Sequence, residues 1–309
     1  MTKERKMTLR MREILAEAEE KLLRAEIGEY KNDAWLLFEH IFELDRTHYF
    51  LRMNEMISDM KNGRALYDKY AKAVDMRCSH IPLQHITGHQ VFMGIDFEVN
   101  ENVLTPRQDT EVLVEQALNV CRNLYPDKKS SRNPLKILDM CTGSGCIAIS
   151  VKMLVKVPVQ VTAVDLSGQA LQTAERNAEK NSCEIEFIQS DLFEKISDRK
   201  FDIIISNPPY IRSDVIPGLM EEVKDHEPLM ALDGDSDGLK FYRKITEQAA
   251  DCLEAGGCIL YEIGCDQSED VGRILEEHGF EHIRTVKDLA GLDRVVMAHH
   301  NKSKKIVSY

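Results

Sequence analysis

The sequence lacks the features of membrane, secreted and metal-binding proteins. No apolar stretch of the 309 residues approaches the ~20 residues that a membrane-spanning helix needs. Residues 1–20 are charged and helical in pattern, without the apolar segment and cleavage site of a secretory signal. The eight cysteines include no C-x-x-C pair and have no paired histidines nearby, which argues against zinc sites and disulfides. We therefore predict a cytoplasmic protein with no membrane partner and no metal.

The sequence also lacks an excess of basic residues. Its formal net charge is −12, and residues 1–80 carry 15 Lys or Arg against 15 Asp or Glu. The rest of the chain, with 25 basic and 37 acidic residues, accounts for the whole imbalance. Because proteins that act on nucleic acids usually present a basic surface, this balance argues against a nucleic-acid partner.

Three regions follow one another along the chain. Residues 1–80 have apolar residues at helical spacing and predict a helical-bundle domain, whose second helix we expect to be capped by Asn32 or Asp33. In residues 81–108, glycines and a proline punctuate β-rich pieces, which predicts a β-hairpin linker. Residues 109–309 form the third region, in which strand and helix patterns alternate.

This alternation predicts an α/β fold with a mostly parallel sheet and helices on both faces. The predicted strands are LKILDM, VQVTAVDL, EIEFIQS, FDIIIS, GGCILYEIG and RVVMAHH, and the predicted helices cover about 145–155, 168–181, 239–254 and 266–278. A polar surface loop is expected at 125–134. Ligands of such sheets bind at the carboxyl ends of the strands, near the switch in strand order.

A pair of prolines directly follows the fourth predicted strand, in the sequence SNPPY at 206–210. Asn207 and Pro208 each precede a proline, which pushes both into an extended conformation. The Asn207 side chain and the Pro208 carbonyl then have no obvious partners in the sheet. We interpret residues 207–210 as a rigid polar clamp, called the amide clamp below, at the carboxyl end of a strand.

Three other strand ends carry residues that suit a ligand. Gly143 and Gly145 allow a tight turn in which backbone N–H groups approach a ligand ahead of a helix. Asp165 ends the second strand 20 residues after Gly145, where a carboxylate can accept hydrogen bonds from ribose hydroxyls. Asp191 closes the third strand. Each has a structural alternative, a plain turn or a helix cap, but their occurrence at consecutive strand ends favours a binding site.

A nicotinamide dehydrogenase has several of the same features. GSGCIA matches G-x-G-x-x-(G/A), and the acidic residue follows at the expected distance. Two details argue against it. Asp139 ends the first strand just before the glycine turn, as in many adenosylmethionine sites, and a dehydrogenase has no evident use for Asn-Pro-Pro-Tyr.

The motif (D/N/S)-P-P-(Y/F/W) after the fourth strand is the signature of methyltransferases that act on planar, amide-like nitrogens. The chain resembles the HemK/PrmC family, which methylates a glutamine side-chain nitrogen (N5) in class I peptide-chain release factors. The matching stretches cover about residues 81–297 and include PLQHITGHQVFMGIDFEV, VLTPRQDTEVLV, ILDMCTGSGCIAIS, AVDLSGQALQTAERNA, FDIIISNPPYI, HEPLMALDGDSDGLKFYRKI, GGCILYEIGCDQ and GLDRVV.

The resemblance implies a class I (Rossmann-like) methyltransferase domain with a seven-stranded, mostly parallel sheet, preceded by a small helical domain that docks the protein substrate. It implies S-adenosylmethionine as the cofactor, with S-adenosylhomocysteine as the product. The implied cofactor-binding residues are Asp139, Cys141, Thr142, Gly143, Ser144, Gly145, Asp165, Asp191, Leu192 and Asn207. The implied catalytic residues are Asn207, Pro208 and Tyr210, and these bind the substrate together with Pro209. The stretch at 105–107 either closes the pocket or forms an interdomain turn.

Two departures from the family pattern stand out. Cys141 replaces a usual glycine, and Gln108-Asp109-Thr110 replaces Pro-Glu-Thr. If the backbone at Cys141 needs a positive φ, its Cβ is strained and crowds the ligand.

The motifs leave some alternatives open. The planar NH₂ group of adenine resembles that of glutamine, so the amide clamp alone also fits adenine N6 of a nucleic acid, or a glutamine of a ribosomal protein. Two alternatives come from other classes, an NAD-dependent oxidoreductase and a non-catalytic adenosylmethionine-binding scaffold.

Overall fold

The computed structural model describes residues 9–123 and 133–300, so the predicted loop at 125–134 lies largely outside the described residues. The chain divides into two compact units. The first comprises the chain up to Gly88 together with the segment Met220–His226, and the second comprises the rest. The chain therefore leaves the second unit and returns to it within the region expected to form a single catalytic domain.

The first unit consists of helices. They are α1 (Met11–Arg24), α2 (Tyr30–Phe42), α3 (Arg46–Arg52), α4 (Gly63–Cys78) and α5 (Leu83–Thr87), with a 3₁₀ turn at Ile57–Asp59 and a single-turn helix at Glu221–Lys224. Aromatic side chains at the centre of its core pack edge-to-face and stacked, including Trp35, Phe38, Phe42 and Tyr70. This arrangement follows from the helical spacing of the apolar residues.

The expected cap of α2 is wrong. The helix begins at Tyr30 after Glu29, so Asn32 and Asp33 lie within its first turn. The Asp33 carboxylate is buried and accepts a hydrogen bond from Nε of Arg77 at 2.7 Å. The same guanidinium donates to Glu222 at 2.7 Å, so a buried ion pair, rather than a cap, accounts for the aspartate.

The second unit opens with the hairpin β1 (His89–Phe92) and β2 (Ile95–Glu98), followed by a 3₁₀ turn at Gln108–Thr110. Its remaining elements are α6 (Glu111–Asn123), β3 (Leu135–Met140), α7 (Cys146–Leu154), β4 (Val159–Asp165), α8 (Gly168–Lys180), β5 (Glu186–Gln189), β6 (Phe201–Ser206), a 3₁₀ turn (Ile216–Gly218), a single-turn helix (Leu229–Leu232), α9 (Lys240–Cys252), β7 (Leu253–Glu262), α10 (Ser268–Glu277), β8 (Phe280–Lys287) and β9 (Asp293–His300).

Strands β3 to β9 form one seven-stranded sheet in the order β5-β4-β3-β6-β7-β9-β8. β5, β4, β3, β6 and β7 pair in parallel, whereas β9 pairs antiparallel with both β7 and β8. The mostly parallel, seven-stranded fold implied by the resemblance is thus confirmed. The strand order reverses between β3 and β6, because β4 and β5 extend to one side of β3 and β6 starts the other.

Two apolar cores cover the two faces of this sheet. Alternate residues of the central strands point to opposite cores, as Ile137 and Leu138 of β3 do. Helices α6 and α7 pack in the first core, and α9 and α10 pack in the second. All six residues of β6 are buried, which explains the three consecutive isoleucines at 203–205 just before the amide clamp. The clamp therefore leaves from a rigid central strand.

Candidate active site

A cavity of about 530 Å³ opens at the carboxyl ends of β3, β4, β5 and β6. Parallel strands bring these ends to one edge of the sheet, beside the switch in strand order. Most of the residues singled out in the sequence contribute to its wall, namely Cys141, Thr142, Gly143, Ser144, Asp165, Asp191, Leu192, Asn207 and Pro209. Four others, Asp139, Gly145, Pro208 and Tyr210, are not among the lining residues.

The turn after β3 has a left-handed backbone at three positions. The φ angles of Cys141, Gly143 and Gly145 are 64°, 56° and 79°. A Cβ at Gly145 would lie 3.0 Å from Cβ of Ala174, so this glycine serves the close packing of α7 and α8. At Cys141 the left-handed conformation costs roughly 1–2 kcal/mol in a residue with a Cβ. The backbone at Cys141 is therefore strained. This is the consequence that we expected if the position needs a positive φ.

Asp139 supports this turn from below. Its side chain is fully buried, and Oδ2 accepts hydrogen bonds from Oγ1 of Thr142 at 2.6 Å and from the backbone N–H of Ala148 at 3.1 Å. Oδ1 has no hydrogen-bond partner among the described residues. Burial raises the pKa of this carboxyl to about 7. The Asp139 carboxylate thus holds the turn and the first turn of α7 together, and its predicted contact with the cofactor stays a prediction.

Asp165 stands in the cavity wall at the end of β4. Its carboxylate accepts hydrogen bonds from the backbone N–H groups of Gly143 at 2.8 Å and Ser167 at 2.9 Å. The cap of α8 is Ser167, whose hydroxyl accepts from N–H of Ala170 at 3.1 Å. Burial raises the pKa of Asp165. The Asp165 carboxylate thus links the turn after β3 to the end of β4. Because Ser167 caps α8, the alternative in which Asp165 is the helix cap is wrong.

Asp191 and Leu192 continue the wall after β5. Asp191 is exposed, whereas Leu192 is buried and has a φ of 47°. A leucine in the left-handed region is strained, and such strain concentrates at binding sites. Two of the residues in this wall, Cys141 and Leu192, therefore hold conformations that L-residues rarely adopt.

The amide clamp leaves β6 with the Asn207 side chain in the wall. Nδ2 of Asn207 donates to Oγ1 of Thr110 at 3.4 Å. The Tyr210 hydroxyl donates to Oε1 of Glu262 at 3.3 Å, and its ring packs against the second core. The family resemblance implied a catalytic, substrate-binding role for Tyr210. That role stays a prediction, since Tyr210 is not among the residues lining the cavity.

Two segments to which the sequence assigned no definite role complete the wall. They are residues 102–107 and 228–231. Arg107 donates to both carboxylate oxygens of Glu227 at 2.8 Å, and the Glu227 side chain is buried. Both segments lie in the stretches that resemble the family, but neither carries a residue pattern with a recognisable chemistry. Only the fold brings them together.

The part of the chain that the structure describes holds no cluster of three or more His, Cys, Asp or Glu residues suited to a metal ion. Within the same residues no helix has the length and apolar character to span a bilayer.

Comparison with known proteins relates both units to one family. Residues 120–222 match the model of the methyltransferase small domain, and residues 13–88 match that of the PrmC N-terminal domain. A release factor glutamine methyltransferase of Clostridium acetobutylicum is 41% identical over 87% of this chain and 91% of its own length. One of Clostridium botulinum is 37% identical over 93% of this chain and 98% of its own. The chain belongs to the release factor glutamine methyltransferase family.

Membership of this family confirms the resemblance read from the motifs and decides against the dehydrogenase alternative. A solved methyltransferase of Pyrococcus furiosus is also similar to the chain, with 16% identity, a TM-score of 0.48 and coverage of 78% of this chain and 100% of that one.

Proposed function

We propose that the protein transfers a methyl group from S-adenosylmethionine to the side-chain amide nitrogen of the glutamine in the Gly-Gly-Gln motif of class I peptide-chain release factors. Its family supports the reaction and the substrate class. The observation that carries the proposal is the Asn207 side chain, which stands in the wall of the cavity with its Nδ2 already bonded to Thr110. Its Oδ1 is thereby left to accept from an incoming amide.

The cavity suits the proposed methyl donor. Its volume of about 530 Å³ falls in the range of pockets that enclose small cofactors. The Asp165 carboxylate can accept hydrogen bonds from hydroxyls, and the turn of residues 141–145 offers backbone groups to the polar end of a ligand. Val164, Leu192 and other apolar side chains provide a surface for a flat ring. S-adenosylmethionine supplies an electrophilic methyl group on its sulfonium.

The amide clamp addresses the central difficulty of the reaction. An amide nitrogen is a poor nucleophile because its lone pair is delocalised into the carbonyl. Oδ1 of Asn207 and the backbone carbonyl of Pro208 would each accept one N–H of the glutamine amide and aim the nitrogen face at the methyl group. Holding reactants in near-attack geometry supplies ~7–11 kcal/mol of a barrier. No side chain needs to take a proton before transfer, because the nitrogen proton becomes acidic once the nitrogen is alkylated.

The first test uses labelled S-adenosylmethionine with a class I release factor, and with the same factor in which the Gly-Gly-Gln glutamine is changed to alanine. We expect methyl transfer to the first factor only. Transfer to both would place the target elsewhere on the factor. Absence of transfer to either, with adenosylmethionine bound, would redirect the search to ribosomal proteins and then to nucleic acid.

The second test changes the clamp itself. Asn207→Ala removes one of the two proposed acceptors, and loss of one oriented polar group at a transition state typically lowers kcat by ~10²–10³-fold. We expect a loss of that size with adenosylmethionine still bound, measured by single-turnover transfer and by calorimetry. The matched control is Asn123→Ala, which alters an exposed asparagine at the end of α6 and should retain full activity.

A further inference from the structure

We infer that Gln267 is a positioning residue, which fixes the Tyr210 end of the amide clamp by hydrogen bonds to the protein backbone. The inference rests on the proposed function of the clamp and names a residue that acts through it. Gln267 ends the stretch GGCILYEIGCDQ, where the sequence motifs give it no role. It is buried, with an exposed fraction of 8%.

The amide clamp depends on what holds its two ends. Its first end continues β6, where Ser206 pairs with both neighbouring strands. Within the clamp, Pro208 and Pro209 have no N–H, so neither can donate a backbone hydrogen bond. The direction of the Pro208 carbonyl, one of the two proposed acceptors, therefore also depends on how firmly Tyr210 and Ile211 are held.

Gln267 holds the backbone of Tyr210 directly. Its Nε2 donates to the carbonyl oxygen of Tyr210 at 3.0 Å and to that of Gly238 at 3.4 Å. Its Oε1 accepts from the backbone N–H of Gly264 at 2.9 Å. A backbone N–H only donates and a backbone carbonyl only accepts, so these three neighbours determine which end of the amide is the nitrogen. The site thus requires one acceptor and two donors, which an amide offers and a carboxylate of the same shape does not.

A loop with two glycines holds the same end of the clamp from its other side. The N–H of Ile211 donates to the carbonyl of Leu232 at 2.9 Å, and the N–H of Gly234 donates to the carbonyl of Ile211 at 2.8 Å. A Cβ at Gly234 would lie 2.8 Å from Cα of Tyr210, and one at Gly238 would lie 2.5 Å from its carbonyl oxygen. Only glycine permits so close an approach, so the loop and Gln267 together enclose the backbone at Tyr210.

A shift of the backbone at Tyr210 would reach the proposed acceptors of the clamp. The two proline rings fix φ at 208 and 209, so the segment has few free torsions with which to absorb a displacement. A misplacement of ~1 Å costs a reaction ~100-fold in rate. Gln267 is not among the residues lining the cavity, so its loss should affect the methyl transfer rather than the binding of adenosylmethionine.

The test changes Gln267 to glutamate, which keeps the shape and removes both donors. We expect Gln267→Glu to lower kcat for release factor methylation about 10- to 100-fold, with the affinity for adenosylmethionine within twofold of the wild type. The matched control is Gln248→Glu, which makes the same change in an amide that donates to the carbonyl of Lys244 at 3.0 Å within α9. It should retain the full rate.

A second variant guards against a folding defect caused by the new charge. Gln267→Met has a similar length, introduces no charge and also removes both donors. It should show the same loss of kcat with adenosylmethionine affinity preserved, measured well below the melting temperature of each protein. A kcat of Gln267→Met within twofold of the wild type would overturn the inference. A loss of adenosylmethionine affinity as large as the loss of kcat would also overturn it, since that would indicate a general structural role.

Hydrogen–deuterium exchange needs no substrate and separates this inference from the proposed function. In Gln267→Met, we expect faster exchange in peptides that cover residues 207–216 and 229–236, and unchanged exchange in peptides that cover β3. Equal exchange by wild type and variant in all these peptides would refute the positioning role alone. A wild-type protein that shows the expected difference from its variant but methylates no release factor would refute the proposed function alone.

Discussion

Cys141 shows how one residue can carry a measurable strain within the site. Its φ of 64° places a Cβ where glycine is preferred, at the start of the turn that lines the cavity. The sequence indicated the substitution, but it could not give the backbone angle, which depends on how β3 and α7 are joined. Burial raises the pKa of the thiol, so the side chain is not poised as a thiolate nucleophile.

Comparing Cys141→Gly with Cys141→Ala isolates this strain, because both variants lose the sulfur and only alanine keeps the Cβ. We expect the glycine variant to be more stable than the alanine variant by about 1 kcal/mol. Urea unfolding with the adenosylmethionine site empty measures the difference. Equal midpoints for the two variants would show that the left-handed conformation carries no cost here.

Asp139 gives the folded protein a predicted pH dependence. Its pKa is raised from 3.8 to about 7 by burial, so the folded state binds its proton more tightly than the unfolded chain does. The stabilisation from this proton is complete below about pH 4 and is lost as the pH rises through 7. Asp139→Asn removes the titration and keeps an acceptor where Oδ2 receives both of its hydrogen bonds.

The difference in urea midpoint between wild type and Asp139→Asn should therefore change steadily from pH 5 to pH 8, in the direction that favours the variant at higher pH. Parallel profiles of the two proteins across that range would contradict the raised pKa.

At the scale of elements, the sequence predicted the strands that lie inside the sheet and missed one at its edge. β6 is a buried apolar run, and such runs are easily recognised. β8 has the sequence FEHIRTVK, in which five of eight residues are exposed, so neither an apolar run nor a strict alternation marks it. The seventh strand was expected from the family resemblance rather than from its own pattern.

The pair of Arg107 and Glu227 is the element-scale feature that the sequence could not reveal, since 120 residues separate the two. Glu227 is buried and also accepts from N–H of Thr105 at 3.3 Å, so it ties residues 102–107 to the start of the 228–231 wall. Arg107 is 46% exposed, and solvent screening reduces the strength of the pair.

We expect Arg107→Met to lower stability by about 1–2 kcal/mol, because it leaves a buried carboxylate without its cation. It should also weaken adenosylmethionine binding several-fold, as measured by calorimetry, because residues 102–107 and 228–231 lose the ion pair that connects them. Arg212→Met, which removes an exposed arginine paired with Asp214, is the control and should leave binding unchanged. Equal binding by the two variants would show that the pair does not shape the cavity.

At the scale of the whole molecule, the family resemblance predicted a helical region ahead of the methyltransferase domain. The structure divides the chain near Gly88 and assigns the hairpin of β1 and β2 to the second unit. It also assigns Met220–His226 to the first unit, which no local pattern could reveal. Within that unit, Arg77 donates to Glu222, a partner distant from it in sequence.

We propose that the first unit docks the intact release factor. Removing residues 1–79 should then raise KM for the whole factor at least tenfold and leave adenosylmethionine affinity unchanged. A short Gly-Gly-Gln peptide is the matched control, and it should be methylated equally by the full-length and shortened proteins. Loss of adenosylmethionine binding on truncation would instead indicate that the unit is needed for the fold.

The contact between the buried Arg77 and the partly buried Glu222 spans 145 residues. During synthesis, the ribosome releases helices α1 to α5 well before residue 222 exists. Until then the guanidinium of Arg77 has only its bond to Asp33 and its weaker bond to the carbonyl of Ile81 at 3.2 Å. The helical unit therefore reaches its final state only after β3 to β6 have been made. A nascent chain stalled before residue 220 should carry a first unit that proteases cut more readily than they cut the finished protein.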